Sequence, residues 1–211
     1  MHAGWAFIES RPIHRTATRD WRISTSLAYN RQMPVTIRPF DHRDVDAIAV
    51  IHAAAWRLAY RGIVSDAYLD GNLEADRRAA WRTLLAAPDF GPGWMAMDGD
   101  IPVGFIDLRP RIDPTWGTQV DHLHVLPAWH GRGIGRELLQ TAAQWCREHT
   151  PDAGLFLWVY VENRAARRFY ARMGGREVGE GMRTSGEGGQ VSGVRVAWEA
   201  PAQLSSPAEL G

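Results

Sequence analysis

Residues Val120 to Leu139 read VDHLHVLPAWHGRGIGRELL. A short apolar run ends at Pro127, a loop of Ala128, Trp129 and His130 follows, and Gly131-Arg132-Gly133-Ile134-Gly135 leads straight into a helical pattern from Arg136. Strand, glycine-rich turn and helix in that order build an anion cradle. Glycines let backbone N–H groups come close to a phosphate, and the helix start adds unpaired donors and the positive end of its dipole. The stretch predicts a phosphate or pyrophosphate site over Gly131 to Arg136.

Outward from this stretch the chain reads as a mixed α/β sheet. Upstream, Val35 to Arg38 alternates as a strand, and Asp41 or Asp44 can cap a helix with Val45, Ile48, Ile51, His52 and Ala55 on its apolar face. A second helical region covers Ser65 to Leu85, broken near Gly71. Two strands, Trp94 to Met97 and Val103 to Leu108, are joined by the hairpin signal Asp98-Gly99-Asp100. Arg109 to Gly117, with two prolines, reads as a loop before the strand Thr118 to Leu126. Downstream of the helix Gly133 to His149, the apolar run Leu155 to Val161 predicts a central strand buried on both faces. Asn163 caps a helix that Gly174-Gly175 ends, Arg176 to Val178 is a short strand, Gly181 to Gly193 is a loose loop, and Val194 to Trp198 is the last strand. Strand-helix-strand around the glycine turn implies a parallel pair.

Domain organisation follows from composition. The 211 residues allow one good-sized domain, taken as residues 34–200. Residues 1–33 carry five arginines without helix or strand period and read as a disordered extension, with an organellar transit peptide as the alternative. Met33 offers a second start of translation, and residues 201–211 read as a disordered tail. The net charge of zero gives no general electrostatic case for nucleic acid or an anionic membrane, and no apolar run approaches a membrane span. The single cysteine, Cys146, excludes an intrachain disulfide and a cysteine-rich metal site, so a reducing, cytoplasmic setting is expected.

The ligand of the cradle can be narrowed. A P-loop needs Gly-Lys-Ser/Thr, whereas Gly135 is followed by Arg136-Glu137. A dinucleotide fingerprint starting at Gly131 places its third glycine on Arg136, and one starting at Gly133 places it on Leu138. What fits is the acetyl-CoA loop of the Gcn5-related N-acetyltransferases, Gln/Arg-x-x-Gly-x-Gly/Ala after a strand ending Val-x-Pro. Here Val125-Leu126-Pro127 precedes His130-Gly131-Arg132-Gly133-Ile134-Gly135. The run Val161-Glu162-Asn163 through Phe169-Tyr170 to Gly174 also resembles the family's next motif. The resemblance spans Pro34 to Glu199 and departs from the family at His130 and at Gly175, where an aromatic is common.

This resemblance implies the family fold: a largely antiparallel sheet flanked by helices, with two parallel strands that splay apart to admit the pantetheine arm. It implies acetyl-CoA as donor cosubstrate, bound by Leu123, His124 and Val125 on the strand edge, by His130 to Arg136 in the loop, and by Asn163 and Ala166 at the next helix start. Arg132, Ile134 and Arg136 belong to that loop set. It implies direct acyl transfer to a primary amine of a small molecule or protein, with Tyr170 as the acid that protonates the leaving thiolate. Asp121, His122 and His124 are the candidate bases. Strict alternation puts Asp121 on the face opposite the two histidines, and a β-bulge would change that. Arg167 and Arg168 read as a solvated helix face. Trp56 and Tyr60, with Tyr68 nearby, form the acceptor wall. No metal is expected, and a homodimer, frequent in the family, stays open. The competing class is a non-catalytic acyl-CoA sensor.

Overall fold

The computed structural model describes residues 34–204, so the expected disorder of residues 1–33 and of the last seven residues lies outside the described part. Seven strands form one sheet: β1 (Thr36–Pro39), β2 (Gly93–Asp98), β3 (Ile101–Asp113), β4 (Gly117–Val125), β5 (Leu155–Tyr160), β6 (Arg176–Thr184) and β7 (Gln190–Trp198), in the order β1-β2-β3-β4-β5-β7-β6. Only β4 and β5 run parallel; every other pair is antiparallel. Helices α1 (Val45–Ala59), α2 (Asp66–Asp70) and α3 (Leu73–Leu85) come before the first hairpin. Helix α4 (Ile134–His149) is the crossover between β4 and β5, and α5 (Arg164–Arg172) follows β5.

The sheet has apolar packing on both faces. On one, Leu138, Leu139 and Ala142 of α4 and Tyr170 of α5 pack on Ile106, Leu108 and Val120. On the other, Ile48 and Ile51 of α1 and Trp81 of α3 pack on Met95 and Phe105. Cys146 lies within the first layer, and burial pushes its thiol up to about 11, which keeps it an unreactive space-filler. Asp41 starts the run into α1 with a capping box, its side chain accepting from the Arg43 N–H while Asp44 reaches back to the Asp41 N–H.

Three expectations are corrected. The stretch Arg109 to Gly117 is strand as far as Asp113, where the Asp113 carboxylate accepts from the Thr115 and Trp116 N–H groups and closes a tight turn. Pro110 is tolerated because the β3–β4 register is irregular between Arg109 and Asp113. The glycine-rich stretch from Gly181 to Gly193 is no loose loop: β6 and β7 pair through it, with Gly181 opposite Gly193. A Cβ on Gly181 would stand 3.2 Å from the Trp158 ring, so glycine leaves room for the indole across the sheet. Finally, Pro201–Leu204 is a 3-10 turn whose Leu204 is buried in the α4 layer, so ordered structure continues past residue 200.

Candidate active site

The glycine turn adopts the conformation its residues permit. Gly131 and Gly133 have φ of +78° and +84°, and Gly133 is the left-handed N-cap of α4. A Cβ at either would meet nothing within 4 Å, so glycine is required there by backbone angle and not by crowding. Arg136 and Glu137 donate their N–H groups back to the Gly133 carbonyl. Among the described residues, the N–H groups from Gly131 to Gly135 have no protein acceptor. Open donors at the head of a 16-residue helix suit an anion.

Contacts from two directions hold this loop. Asp98, the last residue of β2, accepts from the Trp129 indole at 2.9 Å and sits 3.5 Å from the Arg132 guanidinium. His130 turns back and donates from Nε2 to the Val125 carbonyl at 3.0 Å, tying the loop to the end of β4. Gly135 faces α5, where a Cβ would make ordinary contact with the Phe169 ring at 3.4 Å. Arg136 is exposed on the first turn.

Beside the loop the sheet opens. β4 and β5 pair only at Thr118↔Leu155 and Gln119↔Phe156, after which β5 pairs with β7 alone. The Leu126 N–H donates to Val103 on the β3 side. Alternation therefore turns the backbone of Leu123 and Val125 toward the opening, and that of His124 toward β3. Across the gap, Asn163 caps α5 by accepting from the Ala166 N–H at 3.2 Å. Tyr170 is buried on the same helix, and burial holds its hydroxyl well above the ordinary tyrosine value. Arg167 is engaged with Glu177 and the Val161 carbonyl, a structural role. At Gly175, where the family commonly carries an aromatic, Trp198 fills the space: a Cβ would lie 2.8 Å from its indole, whose N–H donates to the Met173 carbonyl.

The three candidate bases lie together because of one extra residue. Asp107 pairs with His122, but Leu108 pairs with Val120, so Asp121 is bulged out of β4. The bulge reverses the alternation and overturns the opposite-face placement: Asp121 Oδ2 is 3.8 Å from His122 Nδ1. Asp121 is also held by Arg109 at 2.8 Å. His122 donates from Nδ1 to Asp107 at 2.9 Å. Asp107, Asp121 and His122 present ligand atoms within 4.8 Å of one another, with Arg109 supplying the cationic partner of Asp121.

The electrostatics separates these groups. Burial opposes charge on His122, but Asp107, by its charge and its hydrogen bond, prevails and raises the imidazole above its ordinary value. His124 has no such partner; burial, then His122 and Arg77, push it down to about 3. Asp107, His52 and Trp81 belong to the cluster although sequence reasoning gave them no site role. His52 of α1 lies 5.1 Å from His122 and 4.6 Å from His124, ring centre to ring centre. Its Nδ1 accepts from the Trp81 indole at 2.9 Å, and burial keeps it neutral. The visible signals were a histidine on the apolar face of α1 and an aspartate inside the apolar run Val103 to Leu108.

The residues expected to form the acceptor wall gather around Trp56. Tyr60 lies 5.2 Å from Trp56 and 4.9 Å from Tyr160, and its hydroxyl is raised by burial and by the proximity of Tyr160 and Tyr170. Because Tyr170 is on α5 and Tyr60 ends α1, that influence passes between helices on opposite faces. The β6–β7 tip folds onto this wall. Gly186 lies so close that a Cβ would come within 2.4 Å of the Trp56 ring, and Glu187 accepts from the Ser65 N–H at 3.0 Å and from its hydroxyl.

A helix start with open N–H donors beside a parted parallel pair, with an ionisable dyad next to the opening, is the arrangement of an acyl-CoA N-acyltransferase type of protein. Residues 48–175 match the model of the acetyltransferase (GNAT) family, which is more than half of the chain, and the chain belongs to that family. It is similar to a probable N-acetyltransferase of Mycobacterium tuberculosis, 29% identical over 65% of this chain and 78% of that protein. It is also 29% identical to an uncharacterized N-acetyltransferase of Archaeoglobus fulgidus, over 64% of this chain and 88% of that protein. The fold matches that of the PaiA N-acetyltransferase from Thermoplasma acidophilum, solved in complex with coenzyme A, with a TM-score of 0.60, 18% identity, and coverage of 79% of this chain and all of that one. The chain is an N-acetyltransferase.

Proposed function

We propose that this protein transfers acetyl from acetyl-CoA directly to a primary amine of a small molecule. The observation that carries the reading is the parting of β4 from β5 after Gln119↔Phe156, which leaves the Leu123 backbone and the Val125 N–H facing the gap between the glycine turn and Tyr170, the Val125 carbonyl being taken by His130. The residues fit the donor. Unpartnered N–H groups from Gly131 to Gly135, with Arg132 and Arg136, suit a pyrophosphate, and the open strand edge suits an amide-rich arm. Asn163 and Ala166 line the far side of the gap. His130 contributes by holding the loop against Val125.

His122 is the base. Its Nδ1–H is committed to Asp107, which fixes the tautomer and leaves Nε2 free to accept a proton from the acceptor ammonium. His124 is too weakly basic for the task, and Asp121 is engaged with Arg109. The freed amine lone pair attacks the thioester carbonyl carbon. The C–N bond forms and the C–S bond breaks; the departing sulfur takes the proton of Tyr170, and the nitrogen gives up its second proton, which restores the phenol and leaves a neutral amide. A hydroxyl kept protonated by burial is suited to that donation. A small acceptor is favoured over a protein because Gly186 and Glu187 close the β6–β7 tip over Trp56 and the start of α2. A cytoplasmic setting goes with this reading.

The test is an acceptor screen on the full-length protein with acetyl-CoA, read by thiol release, covering small amines and peptides with free N-termini or lysines. Release with small amines is expected. Stabilisation by acetyl-CoA without release to any amine would favour the sensor reading, and stronger stabilisation by ATP or NAD than by CoA would overturn the donor assignment.

A further inference from the structure

Five side-chain N or O atoms among the described residues are buried without a hydrogen-bond partner: His52 Nε2, Trp56 Nε1, Arg77 Nε, Ser185 Oγ and Arg195 Nε. Folded proteins satisfy such atoms almost always, and a cluster of exceptions points to a ligand. One of them belongs to the Trp56 indole, and two more lie on side chains packed against that ring. The His52 ring lies 4.8 Å from Trp56, and the Arg77 guanidinium lies over the Trp56 ring at 4.7 Å.

Their chemistry is one-sided. His52 Nδ1 already accepts from Trp81, so the proton of the neutral ring is on Nε2, a donor. Trp56 Nε1 and Arg77 Nε can only donate. The outer nitrogen of Arg77 is used on Tyr68 and Asp76. Despite that ion pair, the guanidinium adds to the lowering of His52 and His124, so it contributes a positive field there. The donors reach toward the base: His52 touches Trp56 on one side and His122 on the other.

Resting on the transferase reading, we infer that Trp56, His52 and Arg77 form an acceptor subsite for a carboxylate. The favoured acceptor is an amino acid whose carboxylate is separated from the reacting amine by several carbons. A carboxylate offers two oxygens with about four acceptor positions, enough for this donor set. The two-ring spacing from His122 places the amine at the base while the carboxylate meets the donors.

The test uses straight-chain ω-amino acids from glycine to aminohexanoate, each against its carboxamide, with acetyl-CoA and thiol-release detection. The expected result is one preferred length, with the acid at least about ten-fold better in kcat/KM than its amide. Trp56→Phe and Arg77→Met should each shrink that preference severalfold while CoA still stabilises the protein. Amides or simple alkylamines transferred as well as the acids, or a preference that survives both substitutions, would overturn the subsite. If no amine of any kind releases thiol, the transferase reading has failed and the subsite is judged by binding alone. The amino acids should then raise the Tm of the CoA-saturated wild-type protein but not of Trp56→Phe, and no rise would overturn it.

Discussion

Asp107 and His122 face each other across the β3–β4 pair, and the imidazole Nδ1–H meets the buried carboxylate at 2.9 Å. The pairing orients the ring and raises its basicity, which His124, two residues further along β4, does not share. This contrast makes a pH profile informative. With His122 as base, kcat/KM should climb as pH rises through its folded value, above the ordinary 6.5. Asp107→Asn removes the raising charge and leaves burial, so the inflection should move to lower pH on a reduced plateau. His122→Gln should cost about a hundred-fold or more in turnover. An unmoved inflection in Asp107→Asn would exclude His122 as the titrating group.

Tyr170→Phe keeps the ring in the α5 layer and removes only the hydroxyl. Turnover should fall by roughly a hundred-fold, the scale of one general-acid contribution, with CoA affinity retained. Isothermal titration with CoA beside steady-state rates would separate this role from simple packing, which predicts little change in either.

Gly131→Ala and Gly133→Ala test the cradle through its backbone. The φ values of +78° and +84° make either substitution strained by about 1 kcal/mol or more, although no atom blocks the new methyl. The expected outcome is a small loss in Tm and a CoA Kd weakened by about ten-fold or more. An unchanged Kd would show that the loop does not bind the phosphates.

Acid stability reports the buried histidines. His52 and His124 are depressed in the fold, so below the unfolded value of about 6.5 the unfolded chain takes up protons that the fold does not. Stability should fall with pH from about 6.5 toward 3, by roughly 1.4 kcal/mol per pH unit for each depressed histidine. His122, being raised, contributes stability that is fully present below 6.5 and is lost as pH rises through its folded value, so it does not alter the acid slope. Urea titrations at several pH values should show a shallower slope in His124→Gln.

Gly175 and Trp198 should behave as a coupled pair. Gly175→Ala forces a Cβ to within 2.5 Å of Val196 and 2.8 Å of Trp198, a cost of about 1–3 kcal/mol. In a double-mutant cycle with Trp198→Phe, part of that cost should be recovered, and strict additivity would show that the two do not share the space.

The sequence by itself determined what is local. Gly131 and Gly133 must be glycine because their φ is positive, Asn163 caps the helix three residues before Ala166, and the order strand, turn, helix, strand dictates a parallel pair; each is legible within a few residues. Only the tertiary structure decided the rest. Asp107 meets His122 through strand register, and a single bulged residue, Asp121, brings a third ionisable group to the same face. His52 joins from α1, and Gly186 reaches Trp56 from across the chain. The glycines from Gly181 to Gly193 disfavour a strand when taken alone, yet they form one because Trp158 needs the space a side chain would fill. Such pairings leave no period in the sequence, since they depend on register and packing between segments that are distant along the chain.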